Sequence, residues 1–471
     1  MIQNLLLFTP YIALAAGILH LGFLYILKED RAKIFSRISR FWLIISLFFG
    51  IVFYDDSPFY TFFENNAYSL LFILLIYALI YHILGLAVAW FSSKNRTGCR
   101  FDMLLLAVSF ILSLLIEANN LSVLFLCYTA LWGINYTLLS IGDNREKLSS
   151  ATPPTGLLVY CLFATATGYF YFMLGGNSGY EELKIFLLQN RTSPLCFGAV
   201  TALVLPFFYA LGIAPLHIAT ENKLSLSALP VSHFFATVLP LAFLGAFIKL
   251  NLVIYAAYSD ILMQIYLVFA LISIVFGAIG ANARVNLQRI YAYSSIYHLG
   301  ITLLLISLGH KHTDFAAFIY LISYLLSLNG AYLVFYNLKS HGEYLTSVAD
   351  ISGLAETRAY ATGALSISLF SFIGIPPLIG FWGMFNFAYE AIQAEYFVSL
   401  GIAFIFLLVL FKAYLGIIKI AYFEHKVRIF DTVSALVWLY MGLNTLMITL
   451  LVFNPMHIFE RIKDMFYVVF L

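Results

Sequence analysis

The chain has 471 residues, of which 62% are hydrophobic and only 10% are charged, with a formal net charge of +2. Because soluble proteins carry about 25% charged residues, this composition excludes a soluble globular protein and indicates a polytopic membrane protein. The balanced charge excludes a nucleic-acid-binding protein, and the four scattered cysteines exclude a cysteine-ligated metal or cluster.

Apolar segments long enough to cross a bilayer recur along the chain, since a transmembrane helix needs about 20 apolar residues. We predict fourteen spans, to within one or two, at residues 5–27, 38–54, 67–92, 102–116, 121–141, 155–175, 194–214, 228–256, 260–282, 289–309, 314–337, 361–388, 396–420 and 433–454. The first lacks a basic N-terminal region and is expected to be a span, not a cleaved signal. Residues 181–189 predict a short amphipathic helix on the membrane surface.

The basic residues alternate between the two sides of these predicted spans. With both termini outside, the outer segments hold only Lys184, Arg191, Lys311, Arg461 and Lys463, while Lys249 and Lys412 fall within spans. The remaining 18 of the 25 lysines and arginines fall on the inner side. Since basic residues concentrate in cytoplasmic loops, we predict a bacterial inner-membrane protein with both termini outside.

Prolines are expected to break two of the spans. Residues 371–385 read SFIGIPPLIGFWGMF, in which Pro376 and Pro377 remove backbone donors and predict a helix break. A second break is predicted at Pro240. Inside a bilayer a break survives only where protein or a cavity satisfies the freed carbonyl groups, and transporters place ion sites at such breaks.

Four segments in sequence order carry a resemblance to one family. They are IAPLHIATENKLSLSALPVSHFFATVLPL at 213–241, RIYAYSSIYHLG at 289–300, the double-proline segment, and KAYLGIIKIAYF at 412–423. Together they resemble the signatures of the antiporter-like membrane subunits of respiratory complex I (types N, M and L) and of multi-subunit cation/proton antiporters. Type N is nearest, and the resemblance covers about residues 100–425.

The resemblance implies an all-α polytopic fold with two inverted five-helix repeats, each containing a broken helix, plus flanking helices. It divides the chain into N-terminal flanking helices at 1–100, a proton-translocation core at 101–425, and a C-terminal helix and tail at 426–471. It also implies other membrane subunits as partners. NADH, FMN, iron–sulfur clusters and quinone are then expected on partner subunits, and no cofactor on this chain.

At four positions the chain departs from the family pattern. The resemblance implies ionisable residues at mid-membrane, and the corresponding residues here are Thr129, Ala210, Leu241 and Met384. Buried lysines and glutamates are costly in hydrocarbon and titrate in response to neighbouring charges, which is what a pump uses. The four replacements therefore remove groups on which pumping depends in the family.

Five ionisable residues remain as candidates for a proton relay: His298, His217, Lys249, His233 and Lys412. A histidine with a pKa of about 6.5 suits a proton carrier inside a membrane, which makes His298 the leading candidate. Because Ser294 and Ser295 flank it in the motif, a hydrogen-bonded structural role fits it equally well.

The other candidates have similar alternatives. His217 follows Pro215 and fits a helix cap as well as a proton entry site, whereas Lys249 either points into the bundle or extends to the interface. Lys412 lies near the inner end of its span, where extension to the interface is favoured. Glu117, at an outer helix end, is expected to be solvated and to have no special role.

Three functions remain open from the sequence. The first is a membrane subunit of a proton-translocating NADH:quinone oxidoreductase or related cation/proton antiporter complex, which passes protons or couples conformational change across the membrane. The second is a non-conducting scaffold that keeps the fold and the interfaces, and the third is a membrane partner of a soluble protein in ion-coupled uptake of an inorganic ion. A self-contained enzyme is disfavoured, because no pair of acids, metal-ligand cluster or nucleophile–base spacing is found at one depth.

Overall fold

The computed structural model describes residues 7–27, 32–54, 57–59, 62–94, 98–141, 154–425, 429–450 and 455–470. Within these ranges the chain is almost entirely helical, with two short antiparallel hairpins. Seven basic residues that contribute to the predicted orientation lie outside the described residues, namely Lys28, Arg31, Arg96, Arg145, Lys147, Lys426 and Arg428.

The elements follow one another in this order. The first half contains α1 (Thr9–Ile26), α2 (Ala32–Val52), β1 (Ser57–Phe59), β2 (Phe63–Asn65), α3 (Ala67–Ser93), α4 (Cys99–Glu117), α5 (Leu121–Leu139), α6 (Pro154–Met173), α7 (Tyr180–Gln189), α8 (Pro194–Leu211), α9 (Ile218–Leu226) and α10 (Leu229–Asn282). The second half contains α11 (Leu287–Ser307), α12 (Lys311–Phe335), β3 (Lys339–Ser340), β4 (Glu343–Tyr344), α13 (Leu354–Thr357), α14 (Ala359–Ile373), α15 (Ile379–Gln393), α16 (Phe397–Phe423), α17 (Ala435–Leu450) and α18 (Pro455–Tyr467).

Eleven helices in the described ranges are long and apolar enough to cross a membrane, and α14 and α17 are shorter apolar helices. The predicted all-α polytopic fold is therefore confirmed. The count of fourteen spans stays a prediction, because α10 alone covers the two predicted spans 228–256 and 260–282. The division at residues 100 and 425 also stays a prediction.

Asparagine side chains define where several helices start. Asn66 accepts a hydrogen bond from the backbone of Ser69 at 2.9 Å, and the Ser69 hydroxyl accepts from the Asn66 backbone at 3.0 Å, so α3 begins with a capping box. Asn120 and Asn286 accept from the backbone at the starts of α5 and α11 in the same way. Each cap satisfies a donor that the first helical turn leaves free.

The predicted break at Pro240 is wrong. Helix α10 runs through Pro240 and continues to Asn282 over 54 residues, with non-helical backbone angles only at Tyr258 (φ −129°, ψ 22°). A proline's fixed φ is compatible with the helix, and surrounding protein can offset the hydrogen bond that it removes. Every residue from 230 to 250 is buried, so this part of α10 is enclosed on all sides.

The chain is interrupted at the double proline. Helix α14 ends at Ile373, Gly374 adopts the left-handed conformation (φ 82°), and α15 begins at Ile379. The backbone N–H of Gly380 donates to the Ser371 hydroxyl at 3.1 Å, and the Ser327 hydroxyl donates to the same oxygen at 2.7 Å. Protein groups thus satisfy polar groups that the interruption frees inside the bundle.

The chain forms two compact units. One comprises residues Met1–Ala210, Val238–Ser259 and Arg461–Leu471, and the other comprises Leu211–Thr237 and Asp260–Glu460. In the first unit the fully buried residues of α3 and α4 supply much of the core. In the second, α11 is buried at every residue except Arg289 and α12 is buried over most of its length, so these two helices form the centre.

Candidate functional site

His298 lies at the centre of the second unit. It is on helix α11 and is 1% exposed. The ring Nδ1 is 2.7 Å from the Tyr320 hydroxyl, and the ring stacks on Tyr324 with centroids 4.2 Å apart. Nε2 has no hydrogen-bond partner among the described residues. One ring nitrogen is thus fixed by a hydroxyl while the other is open to a further donor or acceptor.

Hydroxyl groups surround this histidine. Ser295 and Tyr324 are hydrogen-bonded at 2.7 Å, and Ser294 is hydrogen-bonded to Tyr414. The two serines of the AYSS motif therefore bind tyrosines from α12 and α16 and do not cap a helix. Hydroxyl groups both donate and accept hydrogen bonds. Bonded hydroxyl pairs of this kind can therefore transfer a proton without carrying a permanent charge.

His233 belongs to a second polar chain in the same unit. Its Nε2 is 2.8 Å from Asn329 Oδ1, and the Asn329 amide donates to Asn444 Oδ1 at 2.8 Å. The ring stacks on Tyr332 at 4.8 Å with an interplanar angle of 2°. The Asn444 amide in turn donates to the carbonyl oxygen of Leu326 at 3.2 Å, which completes this line of hydrogen bonds. His233 thus anchors a hydrogen-bonded line that reaches α17.

His217 precedes the first residue of α9, where its side chain makes no cap hydrogen bond. Its ring packs against Phe276 and Tyr293, with centroids 5.6 and 6.2 Å apart. Burial lowers the pKa of His217, so the neutral ring is favoured. Nearby, the buried carboxylate of Glu221 pairs with Arg289 Nε at 3.4 Å. The side chain is therefore packed near a charged pair formed by α9 and α11.

The two lysine candidates have opposite environments. Lys249 is buried in the first unit, with its side chain 4% exposed, and its Nζ is 3.3 Å from Glu64 Oε2. Lys412 is exposed on α16, on the same surface as the exposed Ile405 and Leu408. Lys249 therefore points into the protein, whereas Lys412 does not join the buried polar groups.

Apolar packing or a local hydrogen bond occupies the four positions that lack the family's charges. Leu241 is fully buried, Ala210 is half-buried, and Thr129 donates to the Phe125 carbonyl of its own helix at 2.8 Å. Met384 packs closely on the interruption, since a Cβ added to Gly374 would lie 2.7 Å from Met384 Cγ. Hydrocarbon thus fills the space just after the double proline.

Sequence reasoning missed a polar cluster in the first unit. Glu117 was expected to be solvated, but it is buried (8% exposed) and accepts a hydrogen bond from the Tyr11 hydroxyl. The neighbouring carbonyl of Ile116 accepts from Lys249 Nζ at 3.3 Å. These contacts join segments more than 100 residues apart in the sequence. The only sign of them in the sequence is that Glu117 stands at the end of an apolar run.

Among the described residues, no group of three or more histidine, cysteine, aspartate or glutamate side chains is arranged to hold a metal ion. The polar groups that the structure brings together are histidines, hydroxyls, amides and one lysine–carboxylate cluster. Of these, the histidine, lysine and carboxyl groups bind and release protons, and hydroxyl groups can relay them.

Residues 118–411 match the family described as NADH:quinone oxidoreductase/Mrp antiporter, TM. The chain belongs to this family. The match contains the double-proline interruption, His217, His233, Lys249 and His298, but not α1–α4. The resemblance read from the four motifs is therefore confirmed.

The similarity to individual proteins extends over nearly the whole chain. NADH-quinone oxidoreductase subunit N of Pelagibacter ubique is 26% identical across 98% of this chain and 99% of its own length. Subunit N of Rhodospirillum rubrum is 25% identical across 82% of this chain and 78% of that protein. A chain of respiratory complex I from Thermus thermophilus with bound aureothin has a TM-score of 0.76 at 21% identity, covering 96% of this chain and 98% of that one. These likenesses establish an integral membrane protein with the fold of this family.

Proposed function

We propose that this chain is a membrane subunit, nearest to subunit N, of an NADH:quinone oxidoreductase or a related cation/proton antiporter complex, and that it transfers protons through the membrane. Membership of the family and the likeness to subunit N over nearly the whole chain support the first part. The observation that carries the second part is the buried His298, with Nε2 open and Nδ1 bonded to the Tyr320 hydroxyl.

The chemistry of this centre fits proton transfer without a permanent charge. A neutral histidine accepts a proton on the open nitrogen and releases one from the other, and Tyr320 lies at hydrogen-bond distance from that second nitrogen. Proton transfer needs such heavy-atom distances or one bridging water. The serine and tyrosine hydroxyls around the ring supply the next donors and acceptors.

The subunits that share the membrane are proposed to hold the redox chemistry. We assign NADH, FMN, iron–sulfur clusters and quinone to those partners, since the sequence offers no nucleotide-binding loop and no cluster ligands. Recovery of the chain as a lone monomer from gently solubilised native membranes would contradict the assignment to a complex.

The test of conduction is proton flux in liposomes that contain the native complex. Replacing His298 with alanine is expected to lower the flux by about a hundredfold, the scale on which one positioned proton donor acts. His312→Ala, an exposed histidine at the start of α12, is the matched control and is expected to leave the flux unchanged.

A second candidate function is a non-conducting scaffold, which Met384 and Leu241 favour because apolar side chains fill two positions where the family pattern has charges. It predicts that wild type, His298→Ala and empty liposomes all show the same flux. That result would contradict conduction and leave the scaffold.

A further inference from the structure

A buried ammonium group in the first unit pairs with one carboxylate and interacts electrostatically with a second. Lys249 Nζ is 3.3 Å from Glu64 Oε2 and 3.3 Å from the carbonyl oxygen of Ile116. The residue after that carbonyl is Glu117, whose carboxylate interacts electrostatically with the same lysine. The Lys249 side chain of α10 thus contacts both β2 and α4.

Glu117 opens onto a small polar cavity. The cavity measures about 30 Å³, and its polar lining comprises Tyr11, Ser46, Asn65, Tyr77, Ser113 and Glu117. That volume holds one water molecule with several partners. The Tyr77 hydroxyl is 2.9 Å from Ser113 Oγ, so a hydrogen-bonded pair of hydroxyl groups lines the same cavity as the Glu117 carboxylate.

The cluster also reaches the surface. The Glu64 side chain is 35% exposed, whereas that of Lys249 is 4% exposed. Glu64 lies on the hairpin between α2 and α3, which is the outer side in the orientation that the loop charges predict. The ion pair therefore joins a group in contact with water to one enclosed in the bundle.

A purely structural explanation of this cluster is weak on energetic grounds. Removing two charges from water costs several kcal/mol per ion, and apolar residues of similar volume are often as stabilising as a buried ion pair. The surroundings are rich in apolar side chains, yet the chain places three ionisable groups together here. Proton exchange gives a reason for that arrangement.

We propose that Lys249, Glu64 and Glu117 form a proton-exchange site that connects the interior of the first unit to the outer water. This inference rests on the proposed function. The Lys249 ammonium gives its proton to the Glu64 carboxylate, which leaves an amine and a carboxylic acid. Glu64 then releases the proton to water. Glu117, protonated from the cavity side, returns a proton to the amine through a bridging water and is left as a carboxylate.

The other titratable groups facing this site are phenols and one thiol. Tyr11 from α1 donates to Glu117, Tyr77 from α3 lines the same cavity, and Cys127 from α5 lies near Tyr11. All three are ordinarily neutral at pH 7, with pKa values of about 8.5–10. The exchangeable proton is therefore shared among the lysine and the two carboxyl groups.

The decisive variant is Lys249→Arg, measured as proton flux in liposomes that contain the native complex. Arginine keeps the positive charge and the pairing with Glu64, but it does not lose its proton in proteins. A structural ion pair predicts wild-type flux, whereas proton exchange predicts a loss of about a hundredfold. Glu64→Asp, which keeps the carboxylate, is expected to retain most of the flux.

Two neutral variants and one control complete the experiment. Glu64→Gln and Glu117→Gln are expected to lower the flux by about tenfold or more, since each removes a proton-exchanging carboxyl group with little change of size. Glu181→Gln is the control, because Glu181 forms an exposed pair with Lys184 on α7. If Lys249→Arg does not assemble, wild-type flux in both glutamine variants overturns the inference.

The outcomes separate this inference from the proposed function. Wild-type flux in Lys249→Arg, with reduced flux in His298→Ala, overturns the exchange site and leaves conduction in place. Flux equal to empty liposomes in the wild type overturns conduction itself. Reduced flux in both Lys249→Arg and His298→Ala supports the site.

Discussion

Individual buried side chains in this protein are satisfied mainly by hydroxyl and amide groups. His298 binds Tyr320, His233 binds Asn329, and the AYSS serines bind tyrosines from other helices. Removing one partner leaves a buried polar atom without a hydrogen bond, which costs about 1–3 kcal/mol. Single substitutions in these pairs therefore report directly on the network.

Tyr320→Phe is expected to destabilise the protein by about 1–3 kcal/mol, because it leaves the Nδ1 of His298 without its hydroxyl partner. Tyr389→Phe is the matched control, since Tyr389 is 51% exposed. The measurement is the thermal unfolding midpoint of both variants in the same detergent. Equal midpoints would contradict a stabilising role for the Tyr320 hydroxyl.

The residues that the sequence indicated and those that it missed differ in a physical way. His298, His217 and Lys249 lie in or near motifs, so a local pattern points to them. Glu117 is buried because Tyr11 and Lys249 fold against it from distant parts of the chain. Local hydropathy at the end of a span does not contain that information, and the same holds for Glu64, the partner of Lys249.

At the scale of elements, apolar length predicts helices well, while proline predicts breaks less well. Helix α10 passes through Pro240, where neighbours enclose it, but the chain is interrupted at Pro376 and Pro377. Two adjacent prolines remove two consecutive donors, and Gly374 before them adopts a left-handed conformation that other residues rarely adopt. A single proline has neither effect.

Gly380→Ala is expected to prevent correct packing of the interruption between α14 and α15. A Cβ at Gly380 would lie 1.6 Å from the Ser371 carbonyl oxygen, a distance that requires backbone movement. Gly363→Ala, in the middle of α14, is the control, because nothing lies within 4 Å of its added Cβ. Yield and thermal midpoint of the two purified variants give the comparison; equal values would contradict the close approach.

For the whole molecule, membrane orientation is the property that the loop charges predict. With both termini outside, the start of α12 faces outward and the β3–β4 hairpin faces inward. Both contain exposed residues, His312 and Glu343, where a cysteine can be introduced.

His312→Cys is expected to react with a membrane-impermeant thiol reagent in intact cells, whereas Glu343→Cys is expected to react only after the membrane is opened. Mass spectrometry of labelled peptides separates these sites from the four native cysteines. Labelling in the reverse pattern would show that the orientation is inverted.

The first unit includes residues from both ends of the chain. Phe466 is fully buried, and its ring packs on Tyr68 with centroids 5.3 Å apart. Translation must therefore pass residue 466 before the pocket around Tyr68 and Phe72 is filled. Until then the apolar surface around Tyr68 and Phe72 lacks the ring that covers it, so packing of this early part of the chain depends on a residue that is synthesised much later.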